Sequence, residues 1–551
     1  MSETVTGPDR DTGTGTAGQA AIPGATTPVV PPRPGGFLAR AAAGAAGLTV
    51  IAALLGLARD QAIARLFGAS HDSDAFLIAW TVPEMAATLL IEDGMALLLV
   101  PAFSLALTRR AAGGSWDDPV RTLVSDTFPR LCAALTCAGA LLALGAPWVV
   151  GVLAPGIDDP SLAVDCTRLT AVTVLTFGVT GYFSAALRAH GRFLAPAGVY
   201  IAYNLGIIGT TLALHSLWGV RAAAAGVAVG SVLMILTQLP TFVRLVLRRK
   251  PRVPQRRGAR QGVSALLGAS ALAPVVLFVV SRQAQVFVER FLASSLPDGA
   301  ISHLNYAQKV AQLPMVLSMM ICTVTFPVVA RAMAAGDREG ARRRVERDLA
   351  LAGTVVLLGT AMVLGYAPLI VEVLFQGGAF DAVDTSATAG VMRVYALGLL
   401  GHTLVGALCR PYFSTGRPTW YPLCAMGAGL LVTVGAGLVL TGPFGVDGIA
   451  AANAVGISTA AVLMLAGLGS RAVAVRPGAV ALSLGRPATA AAVAGTTGWA
   501  AAASLPAGPV LGLTAGCLLV PVAFLVTSLA LRSPEAVHLL ALIRQRFSHG
   551  R

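Results

Sequence analysis

Seven ionisable residues stand close together between residues 54 and 101, among apolar segments long enough to cross a bilayer. They are Arg59, Asp60, Arg65, Asp74, Glu84, Glu92 and Asp93. An ionisable group at the centre of a membrane costs between about 2.5 and about 17 kcal/mol. It therefore persists only in a wet cavity, in an ion pair or near an interface. This density of charge predicts two helices that line a polar space inside the membrane.

The arginines of this stretch could bind phosphate. Arg59 is expected to face the cavity, where a guanidinium can hold phosphate oxygens through two parallel hydrogen bonds. Asp60 would then pair with Arg59 or with a neighbouring helix. Arg65 either joins the same recognition or extends to the outer membrane interface.

A second group of charges lies further along the chain. Lys309, one of only two lysines, could supply a second positive charge opposite the second span, pair with Glu289, or extend outward. Arg282, Glu289 and Arg290 are interpreted as a local ion network. Within that network, Arg282 and Arg290 are also candidates for contact with an anionic ligand.

The carboxylates have several open roles, because a carboxylate in mid-helix can relay a proton, bind a cation or neutralise an arginine. We expect neutralisation for Glu92, with Asp93 beside it, and leave the role of Glu84 open. Asp74 follows Ser73 at the start of the second span, which predicts an N-cap or first-turn role.

Composition indicates an integral membrane protein. The 551 residues are 55% hydrophobic and only 12% charged, with a mean hydropathy of +0.74, whereas soluble domains carry about 25% charged residues. The seven cysteines lie in apolar runs and are interpreted as small core residues rather than disulfides or metal ligands. The sequence contains no Walker A, G-x-S-x-G or H-E-x-x-H motif. We expect no enzymatic activity, no cofactor, no metal and no nucleic-acid partner.

A membrane-spanning helix needs about 20 mostly apolar residues. The expected fold is an all-α polytopic membrane protein of about fourteen spans: 38–66, 73–107, 122–153, 162–188, 193–217, 221–247, 264–294, 302–334, 349–375, 384–412, 419–441, 445–469, 487–505 and 508–531. Residues 1–36 are rich in Gly, Thr and Pro, which predicts a disordered tail.

The loops predict the orientation of the chain. Loops that follow odd-numbered spans are short and mostly acidic or neutral, whereas loops that follow even-numbered spans are basic. Arg109 and Arg110 belong to the first basic loop, and the segment 248–262 to the third. Because Lys and Arg remain on the cytoplasmic side, both termini are expected to be cytoplasmic.

The basic linker 248–262 separates a predicted N-lobe, 37–247, from a predicted C-lobe, 263–469. A weak repeat supports this division, since residues 64–70 at the end of span 1 resemble residues 289–295 at the end of span 7. An offset of six spans gives both copies the same orientation, which is typical of transporters with a site between parallel repeats. The remaining predicted segments are a cytoplasmic loop (470–486), two further spans (487–531) and a basic amphipathic tail (532–551).

Four motifs carry a family resemblance: GLARDQAIARLFGAS followed by DAF, GRFLAPA before Asn204, LFQGGAF at 374–380, and Gly416-Arg417-Pro418. In order and spacing they resemble the MurJ/MviN family of lipid II flippases, within the multidrug/oligosaccharidyl-lipid/polysaccharide exporter superfamily. The resemblance covers residues 38–531 and implies two six-helix lobes, two additional helices and a central cationic cavity in the bacterial cytoplasmic membrane. It also implies alternating access that carries an undecaprenyl-diphosphate-linked peptidoglycan precursor to the outer leaflet.

Some functional positions of the family are retained. Arg59 matches the arginine of the family's RD pair, and Lys309 stands where the family has an arginine in the eighth span. Asp74 matches the aspartate of the second span, and Glu92 or Asp93 matches the acidic residue before a glycine.

Other positions depart from the family. Ala53 and Ala87 stand where two further cavity arginines are usual, and Glu84 where an uncharged residue is usual. Each missing Arg–phosphate contact is worth roughly 1.5–3 kcal/mol. The family resemblance predicts a lipid II flippase. The missing arginines leave two alternatives open: an exporter of another polyprenyl-linked glycan or small product, or a non-transporting scaffold in envelope synthesis. The expected partners are the lipid-linked precursor, membrane lipids and the cell-wall synthesis machinery.

Overall fold

The computed structural model describes residues 36–112, 118–247, 269–319, 336–413, 419–471, 473–504 and 508–533, with the single residues 322, 329 and 332. The predicted linker 248–262, nearly all of the tail 1–36 and most of the tail 532–551 lie outside these ranges. Throughout the described ranges the backbone is predominantly helical, and no strand is assigned there apart from one isolated bridge between Gly377 and Phe380.

The N half is defined here as residues 36–247. Its helices are α1 (Gly36–Phe67), α2 (His71–Ala87), α3 (Gly94–Ala112), α4 (Pro119–Leu144), α5 (Ala146–Leu153), α6 (Ser161–Thr170), α7 (Thr173–Ala189), α8 (Leu194–Ala197), α9 (Val199–Trp218) and α10 (Arg221–Phe242). A π-helical segment, Thr88–Asp93, joins α2 to α3, and a second one, Val243–Leu247, follows α10.

The C half is defined as residues 269–471. Its helices are α11 (Ala269–Ala293), α12 (Ala300–Ala311), α13 (Arg338–Phe375), α14 (Ala382–Ala396), α15 (Leu399–Phe413) and α16 (Tyr421–Arg471). Gly445 divides α16 into two helices, because its φ of 54° and ψ of −128° are not helical. Two further helices, α17 (Pro477–Ser504) and α18 (Pro509–Ala530), pack against α13. The first of them begins inside the range predicted as the loop 470–486.

Within the described ranges, nine helices are long and apolar enough to cross a membrane, or ten when α14 and α15, bent by 48°, are taken as one span. The prediction of an all-α multi-pass membrane protein is therefore confirmed, whereas the count of fourteen spans is not. Part of the predicted span 302–334 lies outside the described residues, and α16 combines two predicted spans.

The cysteines depart in part from the prediction. All seven are free thiols, and Cys166 and Cys322 are buried as expected for small core residues. Cys137, Cys424 and Cys517 are exposed instead, because their helices turn these positions toward the apolar outer surface. The interpretation of all seven as core residues is therefore wrong for these three.

The hydrophobic cores show how the two halves meet. One core contains residues of both halves, among them Phe76 and Trp80 of α2 and Tyr306 of α12. A second core lies only in the N half, around Phe103 and Phe183, and a third, which includes Tyr412, lies in the C half together with residues of α17. Among the described residues, the core shared by the halves thus reaches the end of the molecule where α1, α5, α11 and α13 finish, whereas the cores toward the opposite end each lie in one half. We call these ends the joined face and the divided face.

Backbone contacts close the joined face. Ala379, in the turn after α13, donates its N–H to the carbonyl of Arg65 at 2.9 Å, and Gly156 donates to Ser294 Oγ at 3.2 Å. Gly378 has a φ of +63°, and a Cβ there would lie 2.2 Å from the Arg65 carbonyl oxygen. A glycine is required at this position by both conformation and space. The turn can therefore pack directly on the end of α1.

Candidate functional site

The charged residues of the two halves meet around one indole ring. Trp80 of α2 is buried, and the guanidinium carbon of Arg59 lies 4.2 Å from its ring centroid. Lys309 of α12 places Nζ 4.3 Å from the same centroid. A cation over an indole face is attracted by the quadrupole of the ring, by about 0.5–2 kcal/mol depending on solvation. Trp80 therefore holds one cation from each half of the molecule.

Arg59 is fixed by three hydrogen bonds to two neighbouring side chains. Its Nε and Nη2 donate to Asp60 Oδ1 at 3.0 and 2.8 Å, and its Nη1 donates to Asn204 Oδ1 of α9 at 3.0 Å. Asn204 in turn donates to the backbone carbonyl of Ala52 at 3.1 Å. The residue Arg59 is only 8% exposed. The predicted pairing of Arg59 with Asp60 is present, and α9 orients the guanidinium from outside α1.

Lys309 is more accessible and more loosely held. Its side chain is 25% exposed, and Nζ lies 3.9 Å from Asp60 Oδ2 and 4.0 Å from Glu84 Oε1. Both distances exceed that of a good hydrogen bond. The alternative pairing of Lys309 with Glu289 is therefore not the one found. An anion that enters between α2 and α12 could reach the ammonium group without first breaking a short contact.

These four charged groups constitute the candidate site, which we call the Trp80 cluster: Arg59, Asp60, Glu84 and Lys309 around Trp80. Two positive and two negative groups balance each other, which lowers the cost of keeping charges within a membrane. The cations come from different halves, so a bound anion would bridge the halves. Any motion of one half against the other would change the geometry of such a bridge.

Asp74 contacts the opposite half rather than its own helix. Its Oδ2 accepts from the Gly299 N–H at 2.8 Å, and its Oδ1 accepts from the Ser302 N–H and Oγ at 2.7 and 2.6 Å. The position just before α2 belongs to Ser70. Of the two predicted roles, the first-turn position is correct and the N-cap of α2 is wrong. Asp74 instead satisfies free N–H groups at the start of α12.

The other carboxylates of the first stretch lie next to the π-helical segment. Glu92 is exposed, and its Oε1 accepts a hydrogen bond from the Tyr200 hydroxyl of α9 at 2.8 Å. No ion pair in the described part of the chain includes Glu92, so its partner is a phenol rather than the expected arginine. The side chain of Asp93 lies outside the described residues.

Glu289 and Arg290, two of the three members of the predicted network on α11, are buried, and neither forms an ion pair within the described part of the chain. Glu289 accepts a hydrogen bond from Asn453 Nδ2, and Arg290 donates to the Ile301 carbonyl at 3.1 Å and to Asn305 Oδ1 at 3.2 Å. Arg290 is only 2% exposed. These partners place Arg290 between α11 and the first turns of α12, where it supports the helix that carries Lys309.

Arg282 and Arg65 lie on accessible surface. Arg282 is exposed on α11, and Arg65 is exposed at the end of α1, beside the turn that contains Gly377. Neither makes a described ion pair with the Trp80 cluster. Their predicted part in substrate binding stays a prediction.

The sequence reasoning missed Trp80 and did not assign a role to Asn204. In the sequence, Trp80 is one apolar residue among many in a membrane span, although it precedes Glu84 by four residues. This spacing places the two side chains on the same face of a helix. Asn204 is separated from Arg59 by the length of several helices, and only the family motif that precedes it marked the position.

Three comparisons place the chain among known proteins. A family model described as Lipid II flippase MurJ matches residues 63–513. The chain is 27% identical over 446 residues to the lipid II flippase MurJ of Burkholderia cenocepacia, with 79% of this chain and 84% of the relative covered. It is 26% identical over 444 residues to the probable lipid II flippase MurJ of Haemophilus influenzae, with 76% and 84% covered.

Solved structures show the same fold. A lipid II flippase MurJ in an inward closed conformation matches with a TM-score of 0.68 and 17% identity, over 88% of this chain and 97% of that one. An inward-facing multidrug resistance transporter of the MATE family, within the MOP superfamily, matches with a TM-score of 0.60 and 13% identity, over 80% and 99%.

Proposed function

The chain belongs to the lipid II flippase MurJ family, and from this membership we propose that the Trp80 cluster holds the diphosphate of lipid II during its passage across the membrane. The protein translocates lipid II, the lipid-linked precursor of peptidoglycan, and is a multi-pass membrane transporter rather than an enzyme. Neither alternative from the sequence, another cargo or a scaffold, is supported by the named relatives.

One observation carries the assignment of the site. Arg59 from the N half and Lys309 from the C half contact the same ring, and Lys309 is partly accessible. A diphosphate presents several anionic oxygens, so it can accept from a guanidinium and an ammonium together. Asp60 and Glu84 are the anionic neighbours of the two cations in this structure. Substrate binding thus exchanges carboxylate neighbours for phosphate oxygens without exposing unpaired cations.

Alternating access follows from the way the halves meet. A shared core closes the joined face, while each described core toward the divided face lies in one half, so the halves can separate there without breaking a common core. Among the described residues, α3, α7 and α15 end at the divided face with the basic residues Arg110, Arg188 and Arg410 in their last turns, so we place that face and both termini in the cytoplasm of a bacterium. Lipid II would then enter from the cytoplasmic leaflet. After release at the outer leaflet, the cell-wall synthesis machinery would take it up.

This orientation is tested with reporters fused after Arg551 and within the turn at Asp158. A fluorescent protein after Arg551 is expected to mature in the cytoplasm, and alkaline phosphatase at Asp158 is expected to be active outside the membrane. If a phosphatase fused after Arg551 is active, the chain has the opposite orientation to the one proposed.

Substitution of Lys309 tests the site itself. One charge-assisted contact to phosphate is worth roughly 1.5–3 kcal/mol. Lys309→Ala should therefore weaken lipid II binding and transport by about 10- to 100-fold, whereas Lys309→Arg, which keeps the charge, should remain within about threefold of the parent. Fluorescent lipid II in proteoliposomes, with flipped lipid detected by quenching from outside, gives the rate.

Arg168→Gln is the matched control for this experiment. Arg168 is half-exposed on α6 and lies near Asp165 of the same helix, outside the Trp80 cluster. It should leave both binding and transport unchanged. Equal transport by Lys309→Ala and the parent would remove Lys309 from the substrate site.

A further inference from the structure

Asn204 of α9 is a buried amide whose two ends have different partners on α1. Its Nδ2 donates to the Ala52 carbonyl at 3.1 Å, and its Oδ1 accepts from Arg59 Nη1 at 3.0 Å. Because a carbonyl can only accept, Ala52 fixes the polarity of the amide, and the oxygen of Asn204 faces Arg59. The residue is 4% exposed, so a lost hydrogen bond would leave a buried polar atom without a partner. The amide is thus held in one orientation against α1.

The hydrogen bonds of Arg59 leave part of its guanidinium available. A guanidinium has five N–H groups. Nε and Nη2 each donate one of them to Asp60 Oδ1, and Nη1 donates one to Asn204. One N–H group therefore remains on each terminal nitrogen, and no described residue accepts from either. Two such groups in one plane can bind the oxygens of a phosphate.

Among the described contacts of Arg59, the one to Asn204 sets the direction of the guanidinium. Asp60 is the next residue of the same helix, so it moves together with Arg59 whenever α1 moves. Trp80 attracts the cation through the face of its ring, an attraction that depends little on rotation of the guanidinium in its own plane. The hydrogen bond from Nη1 to α9 has a defined direction. Asn204 therefore decides where the two remaining N–H groups point.

The two cations of the Trp80 cluster differ in access. The side chain of Lys309 is 25% exposed, whereas that of Arg59 is 9% exposed. A ligand with a single phosphate can therefore be bound through Lys309 alone. A second phosphate adds affinity only when Arg59 presents its remaining N–H groups in the direction from which that phosphate arrives.

We propose that Asn204 is a positioning residue that gives the Trp80 cluster its preference for a diphosphate over a monophosphate. It acts through Arg59: by holding Nη1, it directs the two remaining N–H groups toward the second phosphate. Asn204 itself does not touch the substrate, since it is buried and both ends of its amide are engaged. This inference rests on the proposed diphosphate site and names the residue that selects for the second phosphate.

Short prenyl phosphates test this selectivity as competitors of fluorescent lipid II in proteoliposomes. Geranyl diphosphate should inhibit the parent at least about tenfold more strongly than geranyl monophosphate, the affinity equivalent of one hydrogen-bonded contact to a charged group. In Asn204→Leu, a substitution of similar volume, the difference should shrink to within about threefold. Inhibition by the monophosphate should change by less than about twofold, because that ligand is bound through Lys309.

A double-mutant cycle separates this role from structural support. Arg59→Lys keeps the charge but has no planar fork for Asn204 to orient, so it should lose the preference by itself. In the Arg59→Lys background, Asn204→Leu should weaken inhibition by the diphosphate by less than about twofold further, against about tenfold in the parent. Asn204→Ser, whose short hydroxyl cannot reach both partners, repeats the cycle if the leucine variant does not fold.

Gln238 of α10 supplies the matched control. This buried amide of the N half accepts from Ser184 Oγ at 3.1 Å and donates to the Thr180 carbonyl at 3.3 Å, and neither partner belongs to the Trp80 cluster. Gln238→Leu should lower the midpoint of thermal unfolding as Asn204→Leu does, because each leaves buried polar atoms unpaired. It should nevertheless keep the parent's preference for the diphosphate.

The outcomes distinguish positioning from support of the fold. An unchanged preference in Asn204→Leu, or equal weakening of both competitors, would overturn the proposal. A full additional loss in the Arg59→Lys background would overturn it as well. The proposed function survives these results, since it is tested separately by Lys309→Ala. Failure of both compounds to inhibit the parent would overturn the diphosphate site and, with it, the role of Asn204.

Discussion

Arg59→Ala is expected to reduce lipid II transport by at least about 100-fold. The substitution removes the proposed charge-assisted contact to the diphosphate, worth roughly 1.5–3 kcal/mol. It also leaves Asp60 buried without the guanidinium that donates two hydrogen bonds to it. Removal of one partner of a buried ion pair costs on the order of 3–5 kcal/mol. Transport and thermal stability should therefore both fall.

A second variant separates these two effects. In Arg59→Ala combined with Asp60→Ala, no uncompensated carboxylate remains, so the thermal midpoint should recover toward that of the parent. Transport should remain low, because the cation that faces the substrate is still missing. Transport is measured in proteoliposomes with fluorescent lipid II, and stability by the midpoint of thermal unfolding in detergent. Parental transport by the double variant would show that Arg59 serves only to neutralise Asp60.

Asp74→Ala should open the joined face. The carboxylate accepts three hydrogen bonds from Gly299 and Ser302, and it caps the N-terminus of α12 from the other half. Hydrogen bonds to a charged group are worth about 1.5–3 kcal/mol each, and loss of a cap costs about 1 kcal/mol. Even part of this sum can invert a two-state equilibrium between closed and open faces. We expect transport to fall by more than about tenfold, because the closed state is depopulated.

Spin labels at Asp158 and Val383 would measure this change, in a background with the exposed cysteines replaced. Both positions are exposed on the joined face, one in each half. The distance distribution should lengthen in Asp74→Ala and stay close to the parent in Asp384→Ala. Asp384 accepts only one, longer hydrogen bond across the same seam, from the Ala69 N–H at 3.3 Å. An unchanged distribution in Asp74→Ala would show that the shared core alone holds the face closed.

The sequence predicted those features that depend on local pattern. Apolar length predicted a helical membrane protein, and adjacency predicted the pairing of Arg59 with Asp60. The count of fourteen spans is not confirmed: nine or ten described helices are apolar enough to span, and helices rich in Ala, Gly and Thr, such as α17, have a weak hydropathy signal. Their small residues serve close packing instead: a Cβ on Gly365 of α13 would lie 3.2 Å from the Gly495 carbonyl of α17.

Contacts between the halves could not be predicted from a single sequence. Asp74 is an acidic residue in the first turn of a helix, which is a common arrangement. Nothing near it in the chain indicates that its partners are Gly299 and Ser302. The roles of Lys309 and Glu84 depended in the same way on how α2 and α12 approach each other. The sequence does not distinguish Trp80 from a packing residue, since an indole in a membrane helix usually serves packing. The site therefore depends on contacts between residues far apart in the sequence, whereas the helical membrane fold could be predicted from local sequence pattern.

The shared core has a consequence for biosynthesis. When a ribosome has completed residue 247, every member of the N half's own core has been made, yet Phe76 and Trp80 still lack their neighbours from α12. Arg59 is then present without its counterpart Lys309. The N half alone therefore lacks one of the two cations of the Trp80 cluster. If the Trp80 cluster binds the precursor as proposed, a nascent chain completes its site only after α12 has been translated.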